Sequence, residues 1–478
     1  MRRVPQLCPL LLLAACASTP GEAISSTSPP CRGVVLLLAD DLGAGELSSA
    51  GHPHIATPHL DALAKGGLTL TRFNAAAPVC SPTRASVLTG RHPVRTTTFA
   101  WGHDLPPAET TLPELLAAEG VRTAHFGKWH LGSVRAGEPT SPGGQGYGTW
   151  AAAPNFFDLD PDLSVNGRVA SHEGEGSEVI TEHAVAFLRE VAKADAPFFV
   201  TIWFGSPHDP HDALPEDLAR QAGAPESTRA YCAEIAAMDR CVGLVRAELE
   251  ALGVANETLL WFTSDNGPRP PKALARADST AGLRGAKGTL WEGGLRVPSI
   301  LRWPAAVAPG RTVGAPCGTV DLLPTIAAVL GSSAPAEGLD GTSLMPLLTG
   351  DADRSPSRGL GFWTVPVRGR PQHGDRILAA MARGEVHPEE TPPSVDAELM
   401  SRESLPGRAA WIRGRYKLHS IPAEGRRRFE LYDLVADPGE TEDLADFEPA
   451  VVSRLAAELE EWRRSAAADA RGHLGGAR

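Results

Sequence analysis

Positive charge is in short supply in this 478-residue chain: 45 lysines and arginines stand against 57 aspartates and glutamates, a formal net charge of -12. That balance argues against a nucleic-acid backbone as partner, and no basic patch marks a membrane surface. Metal-type cysteine spacing is missing too. Seven cysteines occur, and none of their spacings matches a zinc site. Internal repeats and coiled-coil heptads are absent. The apolar run at residues 10–15 is too short to span a bilayer. What is left is ordinary globular material, long enough for one large α/β domain with a smaller one beside it.

The N-terminus carries its own signals. Met1-Arg2-Arg3 and the apolar run after it read as a signal peptide. Leu13-Ala14-Ala15-Cys16 resembles a bacterial lipobox, which makes residues 1–16 a lipoprotein-type signal and Cys16 the lipidated first residue of the mature chain. The competing reading is an ordinary secretory signal with Cys16 incidental. Either way the protein is exported, and the lipobox implies a periplasmic or outer-membrane lipoprotein held by a lipid anchor. Residues 17–32 are a flexible tether rich in Ser, Thr and Pro. Cys232 and Cys241 fall out of phase in one predicted helix and should not pair.

Three apolar runs read as buried strands. Gly33-Val34-Val35-Leu36-Leu37-Leu38-Ala39 has no alternation, as in a central strand of a parallel sheet covered on both faces. Residues 197–204 and 257–262 are the other two. Ligands in open α/β sheets bind beyond the carboxyl ends of such strands. There the first run delivers Asp40 and Asp41, the second Ser206-Pro207-His208-Asp209-Pro210-His211, and the third Asp265-Asn266-Gly267. Asp-Asn-Gly is also turn chemistry, and Asp40 could cap a helix. Adjacent acids at a buried strand end repel each other unless a cation joins them, and acid beside amide suits a hard, oxygen-loving ion.

The stretch with the most chemistry is Pro78-Val79-Cys80-Ser81-Pro82-Thr83-Arg84, followed by a helix-like run to Gly90. Pro82 suits a helix's first turn. Cys80 then sits at the helix N-terminus, where an anion is favoured, and Arg84 lies one turn along the same face. A buried structural cysteine is the plain alternative. The full string Cys80-Ser-Pro-Thr-Arg84 with Ala85-Ser-Val-Leu-Thr-Gly-Arg91 closely resembles the signature of the type I sulfatases. Gly127-Lys128-Trp129-His130, the 206–211 motif and residues 283–298 resemble further family segments.

The resemblance implies an alkaline phosphatase-like α/β fold: a large mixed, mostly parallel sheet flanked by helices, with a small C-terminal antiparallel sheet plus helix. It places a catalytic domain at 33–350 and a C-terminal subdomain at 351–478. It implies hydrolysis of sulfate esters, arylsulfatase-like in type. Cys80 would be oxidised to formylglycine by a formylglycine-generating or anaerobic sulfatase-maturating enzyme. Asp40, Asp41, Asp265, Asn266 and the modified Cys80 would hold a metal. All-oxygen ligation points to Ca²⁺, with Mg²⁺ second. Arg84, Lys128 and Lys287 would neutralise the sulfuryl oxygens, His208 would protonate the leaving oxygen, and His130 would take the proton that lets sulfate go. His211 would touch substrate or sit as a loop histidine. The substrate would be a sulfated small molecule or saccharide. Two alternatives stand beside this: a phosphodiester or phosphonate monoester hydrolase of the same superfamily, and a non-catalytic sulfated-glycan binding protein.

Elsewhere, hydrophobic spacing predicts helices at 57–67, 111–120, 177–193, 227–252, 320–330 and 449–465. Residues 143–176 read as insertion loops, and 351–408 read poorly as regular structure. Strands are predicted at 410–413, 416–418 and 429–434. Lys128 and His130, two apart in extended chain, are expected to point the same way.

Overall fold

A computed structural model describes residues 31–274, 276–335, 337–350, 356–393, 395–401, 405–424 and 426–475. The signal peptide, Cys16 and tether residues 17–30 lie outside the described residues.

The unbroken apolar run becomes β1 (Gly33–Ala39), buried along its whole length. Val34, Leu36 and Leu38 join one hydrophobic cluster, while Val35, Leu37 and Ala39 join another on the opposite face. Period-two alternation in a run of only apolar residues leaves no face for water, so helices must cover both sides. The strands that follow are β2 (Leu68–Leu70), β3 (Phe73–Asn74), β4 (Arg122–Lys128), β5 (Thr149–Ala153), β6 (Asp162–Val165) and β7 (Arg168–Ser171). Then come β8 (Phe198–Trp203), β9 (Thr258–Ser264), β10 (Ser299–Arg302), β11 (Arg311–Val313) and β12 (Cys317–Gly318). All but β3 and β12, which pair with each other, form one sheet of order β11-β2-β10-β9-β1-β8-β4-β5-β6-β7. Strands β9, β1, β8, β4 and β5 are mutually parallel. Antiparallel strands flank them, β10 on one side and the β6–β7 ribbon on the other.

One face of the sheet is covered by helices Cys80–Thr89, Leu112–Ala118 and Leu322–Val329, the other by Pro58–Lys65, Gly176–Lys193 and Arg229–Ala251. Thr111 and Glu114 close a capping box at the start of Leu112–Ala118. The C-terminal part is an antiparallel sheet of β13 (Leu360–Thr364), β14 (Arg408–Arg413), β15 (Tyr416–Ala423) and β16 (Arg426–Asp433), with helix Pro449–Gly475 upon it. Val94 and Phe99 of the large part belong to that smaller core. Among the described residues no helix is long and apolar enough to cross a membrane.

The expected architecture is present, with three local corrections. The 143–176 stretch is not all loop: it holds β5, β6 and β7, whose short alanine- and serine-bearing segments give no apolar run. Strand β13 and helix Gly374–Ala382 lie in the region that read poorly. The last helix runs past 465 to Gly475, because Ala466, Ala467 and Ala470 continue its buried stripe with side chains too small to register as one. Cys31, Cys80, Cys232, Cys241 and Cys317 are all free.

Candidate active site

Parallel strands bring their carboxyl ends to one edge. Ala39 of β1 is in register with Ser264 of β9, while Leu38 of β1 and Gly127 of β4 both flank Trp203 of β8. Asp40-Asp41, Asp265-Asn266, Lys128 and the 206–211 motif therefore leave the sheet side by side. Asp41 takes a left-handed φ of 67°, rare outside glycine, and the surroundings hold it there. Its N–H donates to Asp265 Oδ1 at 3.2 Å, and Asn266 Nδ2 donates to Asp41 Oδ1 at 2.7 Å. Glu46 secures the loop behind it, accepting from Gly43 N–H at 2.7 Å and from the Tyr231 hydroxyl.

Helix Cys80–Thr89 points its N-terminus into this edge, and all ten of its residues are buried. The Thr83 hydroxyl donates to Ala77 carbonyl at 2.8 Å, Ser81 Oγ accepts from Gly102 N–H at 2.8 Å, and Gly288 N–H donates to Pro78 carbonyl at 2.8 Å. The last bond seats the 283–298 segment, and with it Lys287, against the same spot.

Three cations and three carboxylates interlock here. Arg84 reaches Asp265 Oδ2 through Nε at 3.0 Å and Nη2 at 2.7 Å, and Lys128 carbonyl through Nη1 at 3.2 Å. Its guanidinium also lies 5.2 Å from the Trp203 ring centre. Lys128 Nζ meets Asp40 Oδ2 at 2.5 Å, and Lys287 Nζ meets Asp41 Oδ2 at 2.6 Å. Burial alone would raise the Asp40 carboxyl, but Lys128, His208 and Arg84 outweigh it and hold it well below the usual range. Burial and the neighbouring Asp40 push Asp265 up to about 7. Burial opposes the charge on Lys287, yet Asp41 beside it keeps the ammonium above its ordinary value. Burial pushes the Cys80 thiol up to about 12, against the pull of Lys128 and Lys287.

The residues fit a metal ion. Ligand atoms of Asp40, Asp41, Cys80 and His208 lie within 4.8 Å of one another. Asp40 Oδ1 and Asn266 Oδ1 are buried without a hydrogen-bond partner, a costly state unless something else meets them. Asp265 spends its oxygens on Arg84 and the Asp41 N–H, which leaves carboxylate lone pairs over.

The histidines divide. His208 Nδ1 lies 2.6 Å from the Asp209 carbonyl, so Nε2 faces Asp41 Oδ2 at 3.8 Å, and Phe156 stacks on the ring at 4.9 Å. His130 is buried beside Lys128, and neither ring nitrogen has a hydrogen-bond partner. Its φ of 56° shows that extended chain ends at Lys128, so the expected strand-like alternation does not carry through to His130. His211 turns Nδ1 to Glu234, at 3.3 Å, and sets its ring against Tyr231. Glu46 and Tyr231 were missed in the sequence; they stand 185 residues apart and carry no local motif.

A buried acid-and-base cluster at the carboxyl edge of a helix-flanked parallel sheet, fed by a cysteine at a helix N-terminus, defines a hydrolytic enzyme for esters of a tetrahedral oxyanion. Residues 32–332 match the Sulfatase family model. Steryl-sulfatase of Mus musculus is 34% identical over 448 residues, spanning 72% of this chain and 70% of that protein. Arylsulfatase A of Homo sapiens is 32% identical over 481 residues, spanning 91% and 86%. The solved structure of Ps i-CgsB with k-i-k-neocarrahexaose shares the fold at a TM-score of 0.74 and 22% identity, over 91% of this chain and 93% of that one. The chain belongs to the sulfatase family and is a sulfuric ester hydrolase.

Proposed function

We propose that this sulfatase acts through a formylglycine made from Cys80 and a divalent cation, calcium before magnesium, held by Asp40, Asp41, Asp265, Asn266 and residue 80. The observation that supports this reading is that Asp40, Asp41 and Cys80 gather with His208 at one point, Asp265 and Asn266 are hydrogen-bonded to Asp41, and a carboxylate oxygen of Asp40 and the amide oxygen of Asn266 are buried unpartnered. The thiol itself is a poor nucleophile there: burial pushes it to about 12, so it is not a thiolate at neutral pH. Charge supports the cation. Three carboxylates cancel Arg84, Lys128 and Lys287, so a divalent ion leaves the site net positive for an anionic ester. Oxygen ligands suit a hard ion.

Once present, the formylglycine supplies an oxygen nucleophile and the cation supplies Lewis acidity beside it. The chain's own groups do the rest. Arg84, Lys128 and Lys287 hold the sulfuryl oxygens as their charge grows. The Asp209 carbonyl orients His208, whose Nε2 carries the proton to the leaving oxygen. His130, with both ring nitrogens free, accepts the proton whose loss releases sulfate. A sulfated carbohydrate is the natural substrate in this reading, supported by the saccharide-bound neighbour of the same fold. Export, a lipid on Cys16 and a formylglycine-forming partner enzyme complete it, on the strength of the N-terminal and Cys80 motifs.

The test is turnover of 4-nitrophenyl sulfate and bis(4-nitrophenyl) phosphate before and after chelation. The sulfate ester should be the better substrate, lose turnover with EDTA and regain it with calcium. Undiminished turnover in metal-free protein, or a faster phosphodiester, contradicts the reading.

A further inference from the structure

The Phe156 ring that stacks on His208 also lines a cavity of about 290 Å³ beyond it. One wall is the loop after β5 and the start of β6, with Phe156, Asp158, Asp160 and Asp162. The other is His373 and Asp375, where helix Gly374–Ala382 begins. Asn155 Nδ2 donates to Gln372 carbonyl at 2.9 Å and staples the walls together. Among the described residues no lysine or arginine lines the cavity. The sign of charge therefore reverses within one side chain's width: cations gather at Cys80, carboxylates beyond Phe156.

We infer that this cavity is the subsite for the sugar unit on the leaving-group side of the sulfate, and that it takes a neutral, hydroxyl-bearing sugar and rejects one carrying a second sulfate or a carboxylate. The inference rests on the reading of a sulfated carbohydrate substrate. Its place follows from His208, which hands its proton to the leaving oxygen and touches the ring that forms the cavity's inner wall. The size is near the lower end of small-molecule pockets, roughly 300–1,000 Å³, and suits one ring better than a chain. An aromatic face takes the C–H side of a pyranose.

Carboxylates accept from hydroxyls. Asp160 and Asp162 each commit Oδ1, to Gly174 N–H at 2.7 Å and the Ser171 hydroxyl at 2.5 Å, so acceptor capacity remains on both. Gln372 Oε1 and Asn155 Oδ1, next in sequence to lining residues His373 and Phe156, are buried without partners. Burial, then Asp212 and Glu175, push Asp158 up to about 7, so near neutral pH it can donate to a sugar hydroxyl as well as accept from one. A sterol or other apolar leaving group would leave the remaining acceptor capacity of these carboxylates unmet, at a desolvation cost.

The test compares two sulfated galactose disaccharides that differ only in the neighbouring unit, galactose or a uronate, with 4-nitrophenyl sulfate and a steryl sulfate as references. The parent enzyme should show kcat/KM at least about tenfold higher for the neutral neighbour. The double variant Asp160→Lys/Asp375→Lys, at two exposed positions, should shrink that ratio about fivefold or more. Phe156→Ala should raise KM for the disaccharide more than for 4-nitrophenyl sulfate. Equal rates, a uronate preference, a ratio unmoved by charge reversal, or a steryl sulfate that outruns both disaccharides would overturn the subsite. Those outcomes with intact aryl-sulfate turnover leave the sulfatase chemistry standing. A parent enzyme inert on every sulfate ester would instead sink the formylglycine reading.

Discussion

Lys128 and Asp40 form a buried ion pair of the candidate site. Both side chains are fully buried, and they meet at 2.5 Å. A lysine survives such burial only with a partner, so its ammonium is pre-aimed at whatever anion joins Asp40's neighbours. Replacing it (Lys128→Ala) should cut kcat/KM on 4-nitrophenyl sulfate about 100-fold or more. A loss of only a few-fold would show that Arg84 and Lys287 carry the sulfuryl charge without it. Much of this point was legible in the sequence, because Cys80 with Arg84, Lys128 with His130, and Asp265 with Asn266 each lie within five residues of one another. What was not legible was their backbone. Asp41 and His130 adopt left-handed φ without being glycine, and only contacts from distant residues enforce that.

Strands β1, β8 and β9 announce themselves because burial on both faces demands apolar residues at every position. Strands β5, β6 and β7 do not: they lie toward the sheet edge, where alanine, serine and charged residues suffice. Strand β4 mixes the two cases and carries a buried titratable group. His125 Nδ1 lies 2.9 Å from Thr201 Oγ1, with Trp129 and Trp203 against its ring. Burial, then the nearby Arg84, lowers its imidazole to about 3. An unfolded histidine titrates near 6.5, at about the ordinary value, so on acidification the unfolded chain takes the proton first. The stability His125 contributes is complete above about pH 6.5 and is lost as pH falls from there toward 3. Buried Glu46 and Glu175, each raised to about 7 chiefly by burial, work in the opposite sense, so the comparison is with a variant. Thermal unfolding of His125→Asn should fall less steeply than the parent between pH 6.5 and 4. Parallel curves would show that this histidine does not titrate with unfolding.

The two parts of the molecule are joined through charge. Lys417 of β15 reaches Glu292 at 2.8 Å and Glu440 at 3.2 Å, and is fully buried. Glu440 also accepts from the Glu292 N–H at 2.6 Å, and Arg296 holds Glu292's other oxygen. Glu292 stands five residues after Lys287, so the C-terminal sheet buttresses the segment that carries this lysine, the proposed sulfuryl contact. No sequence pattern announces an ion pair across 125 residues. Lys417→Met leaves two buried carboxylates short of a counter-charge and should cost about 3–5 kcal/mol of stability, with a raised KM for aryl sulfate. Unchanged melting would mean the C-terminal sheet is docked by its apolar core alone.

The account depends most on the chemical state of residue 80. The direct measurement is the mass of the peptide containing it, from protein made in the native host. Conversion of cysteine to formylglycine predicts a loss of about 18 Da from that peptide. An unmodified thiol mass in enzyme that turns over sulfate esters would contradict the mechanism.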